Sequence, residues 1–302
     1  MPSAKVIIDT GPAIGCPFHD VDDALAMLYL LALPGEFEVL GVTPVGGNAP
    51  LRKTVPKARE VLAIAGRKDI PVYPGAKRAS EIGRPTEAGR FLAEAVRESP
   101  GEVTVLAIGP LTNIATAGLR DPDFFNHVGR IVVMGGALQA GYGVPLVSPL
   151  EFNFWKDTAA AAAVLAAECE KVIVTMDLCL QVVFSRRELD ALHSMRPRPA
   201  YWLASKIEPW YRFNRAMPVP WKGGFVPWDV IAAVYLRRPD LFEVEETPLR
   251  LRPRRFTTGQ VERCEDGSRP CLLPVKVRAA ELLDEFLDAI DSGEWARPEA
   301  GG

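Results

Sequence analysis

The chain has 302 residues, enough for one large or two modest domains with a sizeable core, and 48% hydrophobic residues exclude a disordered chain. Its 35 basic and 38 acidic residues leave a formal charge of −3, which excludes a general electrostatic pull toward nucleic acid or an anionic membrane. Five cysteines with no CxxC pair favour reduced thiols over a disulfide framework. No stretch reaches the ~18 uninterrupted apolar residues of a membrane span, and the start runs straight into a strand pattern. The sequence therefore predicts a cytoplasmic protein without membrane or nucleic-acid partners.

The first apolar run, Lys5-Val6-Ile7-Ile8-Asp9, predicts a buried strand that ends on a carboxylate. A Gly/Pro-containing loop follows. Residues 22–33 are rich in helix formers and apolar nearly all round, which predicts a buried helix with Asp22 and Asp23 in the first turn, where the dipole favours acids. The alternation continues with strand 37–43, helix 51–65, strand 103–108, helix 111–120, strand 130–134, helix 157–168 and strand 172–176. Such alternation predicts an α/β fold, a mostly parallel central sheet with helices on both faces. Beyond residue 180, helical stretches broken by Trp202, Trp210, Tyr211, Trp221, Phe225 and Trp228 predict a lid or wall. Residues 249–277 predict an edge hairpin, 278–290 a final amphipathic helix and 292–302 a frayed tail. With no repeat and no long linker, 1–302 reads as a single elaborated domain.

In a parallel sheet ligands bind beyond the carboxyl ends of the strands. That places Asp9, the segment 45–48 with Asn48, the segment 109–113, the segment 134–136 and Asp177 under suspicion. Asp9, Asp20, Asp22 and Asp23 all fall within the first 23 residues. Such crowded carboxylates are tolerated when a cation or a shared proton neutralises them, and an all-oxygen set selects calcium or magnesium over zinc. The plainer reading has Asp20 capping a helix while Asp22 and Asp23 complement its dipole. Asp9-Thr10-Gly11 matches the aspartic-protease tripeptide, but those enzymes are all-β and pair two copies, which this alternating pattern excludes. Glu151 and Asn153, interleaved with Phe152, Phe154 and Trp155, offer a sugar an acceptor and an amide against an apolar wall, or form an ordinary surface loop. Asp229 opens an apolar helix, the usual place of an N-cap.

Taken together, the strand ending in Asp9-Thr10, the run Asp20-Val21-Asp22-Asp23-Ala24-Leu25-Ala26, and the segments Gly41 onward to Asn48 and Gly109-Pro110-Leu111-Thr112-Asn113 carry a resemblance. Val132-Val133-Met134-Gly135-Gly136, Glu151-Phe152-Asn153, Trp228-Asp229 and Thr257-Thr258-Gly259-Gln260 extend it over essentially the whole chain. The chain resembles the calcium-dependent nucleoside hydrolases, the inosine–uridine preferring N-ribohydrolase family. The resemblance implies a calcium ion at the strand ends, held by Asp23, by Asp229, by the backbone carbonyl of Ile108 and by an aspartate of the first loop such as Asp9. It also implies that Asp22, Asn48, Glu151 and Asn153 contact the sugar, that Met134 lines the pocket, and that the protein is a homodimer or homotetramer.

Three departures from the family pattern stand out. Gly11 occupies the place of an expected aspartate, a ligand and base, and the loop 12–19 is longer than the family norm, so Asp9 or Asp20 is left to stand in. Residues 143–149 lack the family's Gly-Asn pair. Trp228 replaces a histidine that acts as acid toward the leaving base; an indole stacks on a base but does not protonate it. His19 sits in the expanded loop as a candidate contact for metal or substrate, while His127 and His193 read as structural. The implied reaction is hydrolysis of the N-glycosidic bond of a ribonucleoside or related N-ribosyl compound by an activated water. Gly11 motivates the alternative, a catalytically impaired relative that binds a nucleoside or sugar. A magnesium-dependent phosphohydrolase is the third reading.

Overall fold

The computed structural model describes residues 3–139, 150–217, 221–252, 258–265 and 268–295. Strand β1 (Ala4–Thr10) leads through the loop 11–21 into α1 (Asp22–Leu31), followed by β2 (Phe37–Pro44), α2 (Leu51–Ile64), α3 (Glu87–Glu98) and β3 (Val103–Ala107). Helices α4 (Thr112–Arg120) and α5 (Phe124–His127) precede β4 (Arg130–Met134), and α6 (Phe152–Lys156) and α7 (Thr158–Ala166) precede β5 (Lys171–Val174). Next come α8 (Met176–Cys179), β6 (Phe184–Ser185), α9 (Arg186–Ser194), α10 (Arg198–Ala216), β7 (Gly224–Phe225) and α11 (Trp228–Arg237). The chain closes with β8 (Phe242–Thr247), β9 (Leu249–Leu251), β10 (Val261–Arg263), β11 (Cys271–Val277) and α12 (Ala279–Ser292).

Seven strands form the main sheet in the order β2-β1-β3-β4-β5-β11-β8, parallel throughout except that β8 runs antiparallel to β11. Successive side chains of a strand face opposite sides, so Val6 and Ile8 enter one core with Leu106, Val132 and Val172, while Ile7 enters the other with Val105, Val133 and Ile173. Helices α1, α11 and α12 cover the first face; α3, α4 and α7 cover the second. This is the α/β architecture that the alternating pattern predicts.

Helix α1 explains why acids sit at the sheet's edge of function. All ten of its residues are buried. Leu25, Met27, Leu28, Leu30 and Leu31 each contribute roughly 1.5–3 kcal/mol by leaving water. That apolar body pins the helix start, and with it Asp22 and Asp23, at the carboxyl end of β1. Pro34-Gly35 ends the run, since proline cannot continue a helix and glycine favours a turn.

Several elements differ from the sequence expectation. Helix α3 is an additional amphipathic helix whose buried face is Ala88, Leu92, Ala93, Ala95 and Val96, capped by Thr86 accepting from Gly89 N–H. The expected edge hairpin 249–277 is divided. β9 and β10 pair on their own, while β11 enters the main sheet between β5 and β8, parallel to β5 at Leu272 and Val172. Residues 292–295, expected to fray, are instead held against the core. α12 runs to Ser292, Glu294 N–H donates to Ala32 (3.0 Å), and the Trp295 indole packs on the core while donating to the Ile290 carbonyl (3.1 Å). Burial of that indole outweighs the polar composition around it. Residues 296–302, 143–149 and Thr257 lie outside the described residues. Among the described residues no helix is long and apolar enough to cross a membrane.

Candidate functional site

The carboxyl ends of β1, β3 and β4 and the starts of α1, α6 and α11 converge on a cavity of about 400 Å³. Its lining divides by chemistry. Asp20, Asp22, Asp23 and Asp229 supply carboxylates; Asn48, Glu151 and Asn153 supply further polar groups; Ile108 and Met134 border them; Phe18, Trp210, Trp221 and Trp228 supply aromatic surface.

One oxygen from each of Asp22, Asp23 and Asp229 lies within 4.8 Å of the others, and all three residues are buried. Two come from adjacent positions of α1 and the third from the first turn of α11. The Asp229 N–H donates to Asp22 Oδ2 (3.1 Å) and so fastens the two helix starts together. Asp23 is fixed from the other side, where its Oδ1 accepts from Thr10 Oγ1 (2.5 Å) and Gly11 N–H (2.8 Å). The Asn48 side chain also hydrogen-bonds it. Asn48 reaches that place through a tight approach at Gly46, where an added Cβ would stand 2.2 Å from the Lys77 carbonyl oxygen. Only glycine permits that contact.

Asp9 and Asp20 part company. Asp9 is fully buried behind the cavity and does not line it. Its Oδ2 accepts from Thr43 Oγ1 (2.7 Å), opposite it in the sheet register, and from Asn113 Nδ2 (2.8 Å), while its Oδ1 has no partner. Asp20 does line the cavity. Its Oδ1 accepts from the neighbouring Val21 N–H (2.7 Å), and α1 begins without a side-chain cap. Gly11, also on the cavity wall, has an ordinary backbone φ, and an added Cβ would meet only the Val45 carbonyl at 3.6 Å and Asn48 at 3.9 Å. Sterics therefore do not demand glycine there.

Glu151 is the N-cap of α6 and accepts from Asn153 N–H (2.9 Å), Phe154 N–H (2.9 Å) and Gly136 N–H (2.8 Å). Asn153 points its Nδ2 at the carbonyls of Met134 (3.1 Å) and Ile108 (3.4 Å). His19 is outside the cavity lining, with Nδ1 against the Pro17 carbonyl (2.6 Å). His193 faces Glu208 at 3.7 Å, and His127 ends the short α5. Asp177 accepts from Leu138 and Gln139 N–H and ties that loop down without lining the cavity.

Among the described residues no lysine, arginine or histidine lines the cavity. Burial therefore acts on every carboxyl group there. It pushes Asp22 and Asp229 well above the ordinary carboxylate range, with the neighbouring aspartates adding repulsion. Burial raises Asp23 too, against the opposing bonds from Thr10, Gly11 and Asn48. Asp20 rises to about 6 and Asp9 to about 7, again by burial first. Buried acidic oxygens with no cationic side chain among them suit a hard divalent cation, and the residues present fit one. Sequence reasoning did not single out Thr10, Thr43 and Asn113 as supports of these carboxylates, nor Phe18 on the wall. Thr10, Thr43 and Asn113 do lie inside the segments it marked.

Residues 6–284 match the family model described as inosine-uridine preferring nucleoside hydrolase. The chain belongs to this family. Uridine nucleosidase 1 of Arabidopsis thaliana is 31% identical over 284 residues, covering 84% of this chain and 80% of that one. A solved plant nucleoside hydrolase resembles the fold with a TM-score of 0.85 at 25% identity, over 96% of this chain and 99% of its own. A purine-preferring ribonucleoside hydrolase from Gardnerella vaginalis shares the fold with a TM-score of 0.84 at 22% identity, over 95% and 98%. The nucleoside hydrolase member described here is a hydrolase of ribonucleoside N-glycosidic bonds.

Proposed function

We propose that this nucleoside hydrolase works with a calcium ion held by Asp22, Asp23, Asp229 and the Ile108 carbonyl, and that Asp20 is its general base. The observation that carries the proposal is the buried trio Asp22, Asp23 and Asp229, with oxygens within 4.8 Å of one another and no cationic side chain on the cavity wall among the described residues. A bound ion would lower the pKa of a water and anchor vicinal sugar hydroxyls.

The chain's own groups account for the rest. In the reaction a water oxygen bonds to the anomeric carbon, the C–N bond breaks with its electron pair going to the base, and the water's proton passes to a carboxylate. Of the two aspartates that could take that proton, Asp20 lines the cavity and Asp9 does not. Asp9, gripped by Thr43 and Asn113, acts as a positioning residue for the end of β1. Positive charge develops on the sugar in the transition state, and fixed carboxylates in a low-dielectric cavity stabilise it without reorganising. Asp22 accepts from a ribose hydroxyl, and the Asn48 amide donates to or accepts from one. Asn153, whose Nδ2 is committed to backbone carbonyls, offers Oδ1 to the sugar, and Glu151 fixes the residue by accepting from its backbone N–H. No acid stands beside the departing base among the described lining residues other than the trio and its neighbours, so the base takes its proton from solvent after leaving against Trp228.

The same reading includes a single domain assembled as a cytoplasmic homodimer or homotetramer, as the family resemblance implies; sedimentation velocity decides the assembly. Incubation with a panel of purine and pyrimidine ribonucleosides, with reducing sugar and free base both quantified, tests the function. Release of both in equal amounts supports it. No sugar from any nucleoside, with calcium present, overturns it.

A further inference from the structure

We propose that Phe18 is a specificity-determining contact for the substrate, presented by the loop 11–21 so that its ring packs against the nucleobase of a bound nucleoside. The proposal rests on the nucleoside-hydrolase reading above and adds to it the residue that senses the base. Phe18 is the single non-glycine residue with positive φ among the described residues, at φ 60. A bulky L-residue is sterically disfavoured there, and glycine would occupy the position freely. The phenylalanine ring gains little in return from the protein. It is 78% exposed, more than any other large apolar side chain described, and its ring neighbour is Phe213, edge-on at 5.5 Å.

A strained backbone that holds an apolar ring in water calls for a partner that the free chain lacks. The ring's position says which. Phe18 lines the substrate cavity, and it also lines a second cavity between its own loop and α10, so it is a wall shared by both. Phe213 stacks in turn on Trp210 (5.5 Å, 25° between planes), which lines both cavities as well. Trp221 and Trp228 meet edge to face (5.4 Å, 86°) on the same cavity. On the nucleoside-hydrolase reading the carboxylates and amides of the lining would hold the ion and the ribose, which leaves this aromatic set to take the flat faces of the base. Aromatic faces bind bases by stacking with little regard to edge chemistry.

The test compares binding of a C-nucleoside analogue of inosine and of free D-ribose, by calorimetry in saturating calcium, in the wild type and in Phe18→Gly, Phe18→Leu and Phe18→Trp. The analogue has the same base shape but a C–C glycosidic bond that is not hydrolysed, and so stands for inosine here. Phe18→Gly relieves the backbone and keeps or raises the melting temperature, yet weakens inosine about tenfold. Phe18→Leu, which keeps apolar bulk without a π face, also weakens inosine, and Phe18→Trp retains it. Ribose affinity stays within about twofold in all three, since the ring contacts the base and not the sugar. Unchanged inosine affinity in Phe18→Gly and Phe18→Leu overturns the proposal. So does a parallel loss of inosine and ribose, which would make Phe18 a support of the loop alone. Because these are binding measurements, a wild type that binds the analogue without hydrolysing inosine would sink the catalytic reading while leaving the Phe18 contact intact.

Discussion

Stripping divalent cations should make the protein less stable as pH rises, because its buried carboxyl groups then keep protons that the unfolded chain has already released. Asp9 shows the size of the effect. Burial lifts it from the ordinary 3.8 to about 7, a difference of about 3.2 pH units and, at ~1.36 kcal/mol per unit, roughly 4 kcal/mol. The sign follows from the proton count. Between pH 4 and pH 7 the native state binds a proton at Asp9 and the unfolded state does not, so unfolding becomes easier with every step up in pH. The stabilisation is fully present below about pH 4 and gone above about pH 7. About 3 kcal/mol of it falls between pH 5 and pH 8, which for a chain of this size lowers the melting temperature by roughly 6 °C. Asp20, lifted to about 6, and the three raised aspartates of the trio push the same way. Differential scanning fluorimetry in chelator at pH 5 and pH 8 measures this directly. Saturating calcium should raise the pH 8 value more than the pH 5 value, since the ion binds the deprotonated native state. A chelated protein that melts higher at pH 8 than at pH 5 would refute the reasoning.

Two substitutions probe the walls of the cavity. Gly11→Asp introduces a carboxylate where an added Cβ has ordinary contacts, so the variant folds; calorimetry should show calcium binding at least tenfold tighter, with a lower melting temperature in chelator from the extra repulsion. Weaker calcium binding by a folded variant would contradict that geometry. Gly46→Ala forces the backbone away from the Lys77 carbonyl that an added Cβ would approach to 2.2 Å, at a cost of about 2–3 kcal/mol in urea unfolding. It should also raise KM, because Asn48 follows two residues later.

The sequence shows the architecture where local pattern decides it. The runs at β1 to β5 and the helices between them have their own periodicity, and Asp22 and Asp23 are neighbours on α1 whatever the rest of the chain does. The convergence of Asp229 on that pair depends on α11 packing against α1, and only the family resemblance hints at it from the sequence. The position of β11 between β5 and β8 is a long-range pairing with no local mark. Asp9 and Asp20 are equivalent on paper, both acids beside a glycine-containing loop. Their fates differ because Thr43 from β2 and Asn113 from α4 reach Asp9 from distant parts of the chain, while Asp20 meets its own loop and the adjoining start of α1 at Asp22. Phe18 was invisible for a related reason: a positive φ and an exposed ring are properties of a folded loop, and nothing in the residues Cys16-Pro17-Phe18-His19 announces them.

Ribose release from inosine, followed while chelator-stripped enzyme is titrated with calcium, bears on the central claim most directly. A single saturating rise in activity is expected, with one ion bound per chain by calorimetry over the same concentration range, and Asp229→Ala should need at least 100-fold more calcium to reach half of it. Full activity in the stripped enzyme, or an Asp229→Ala titration that overlays the wild type, would contradict the account.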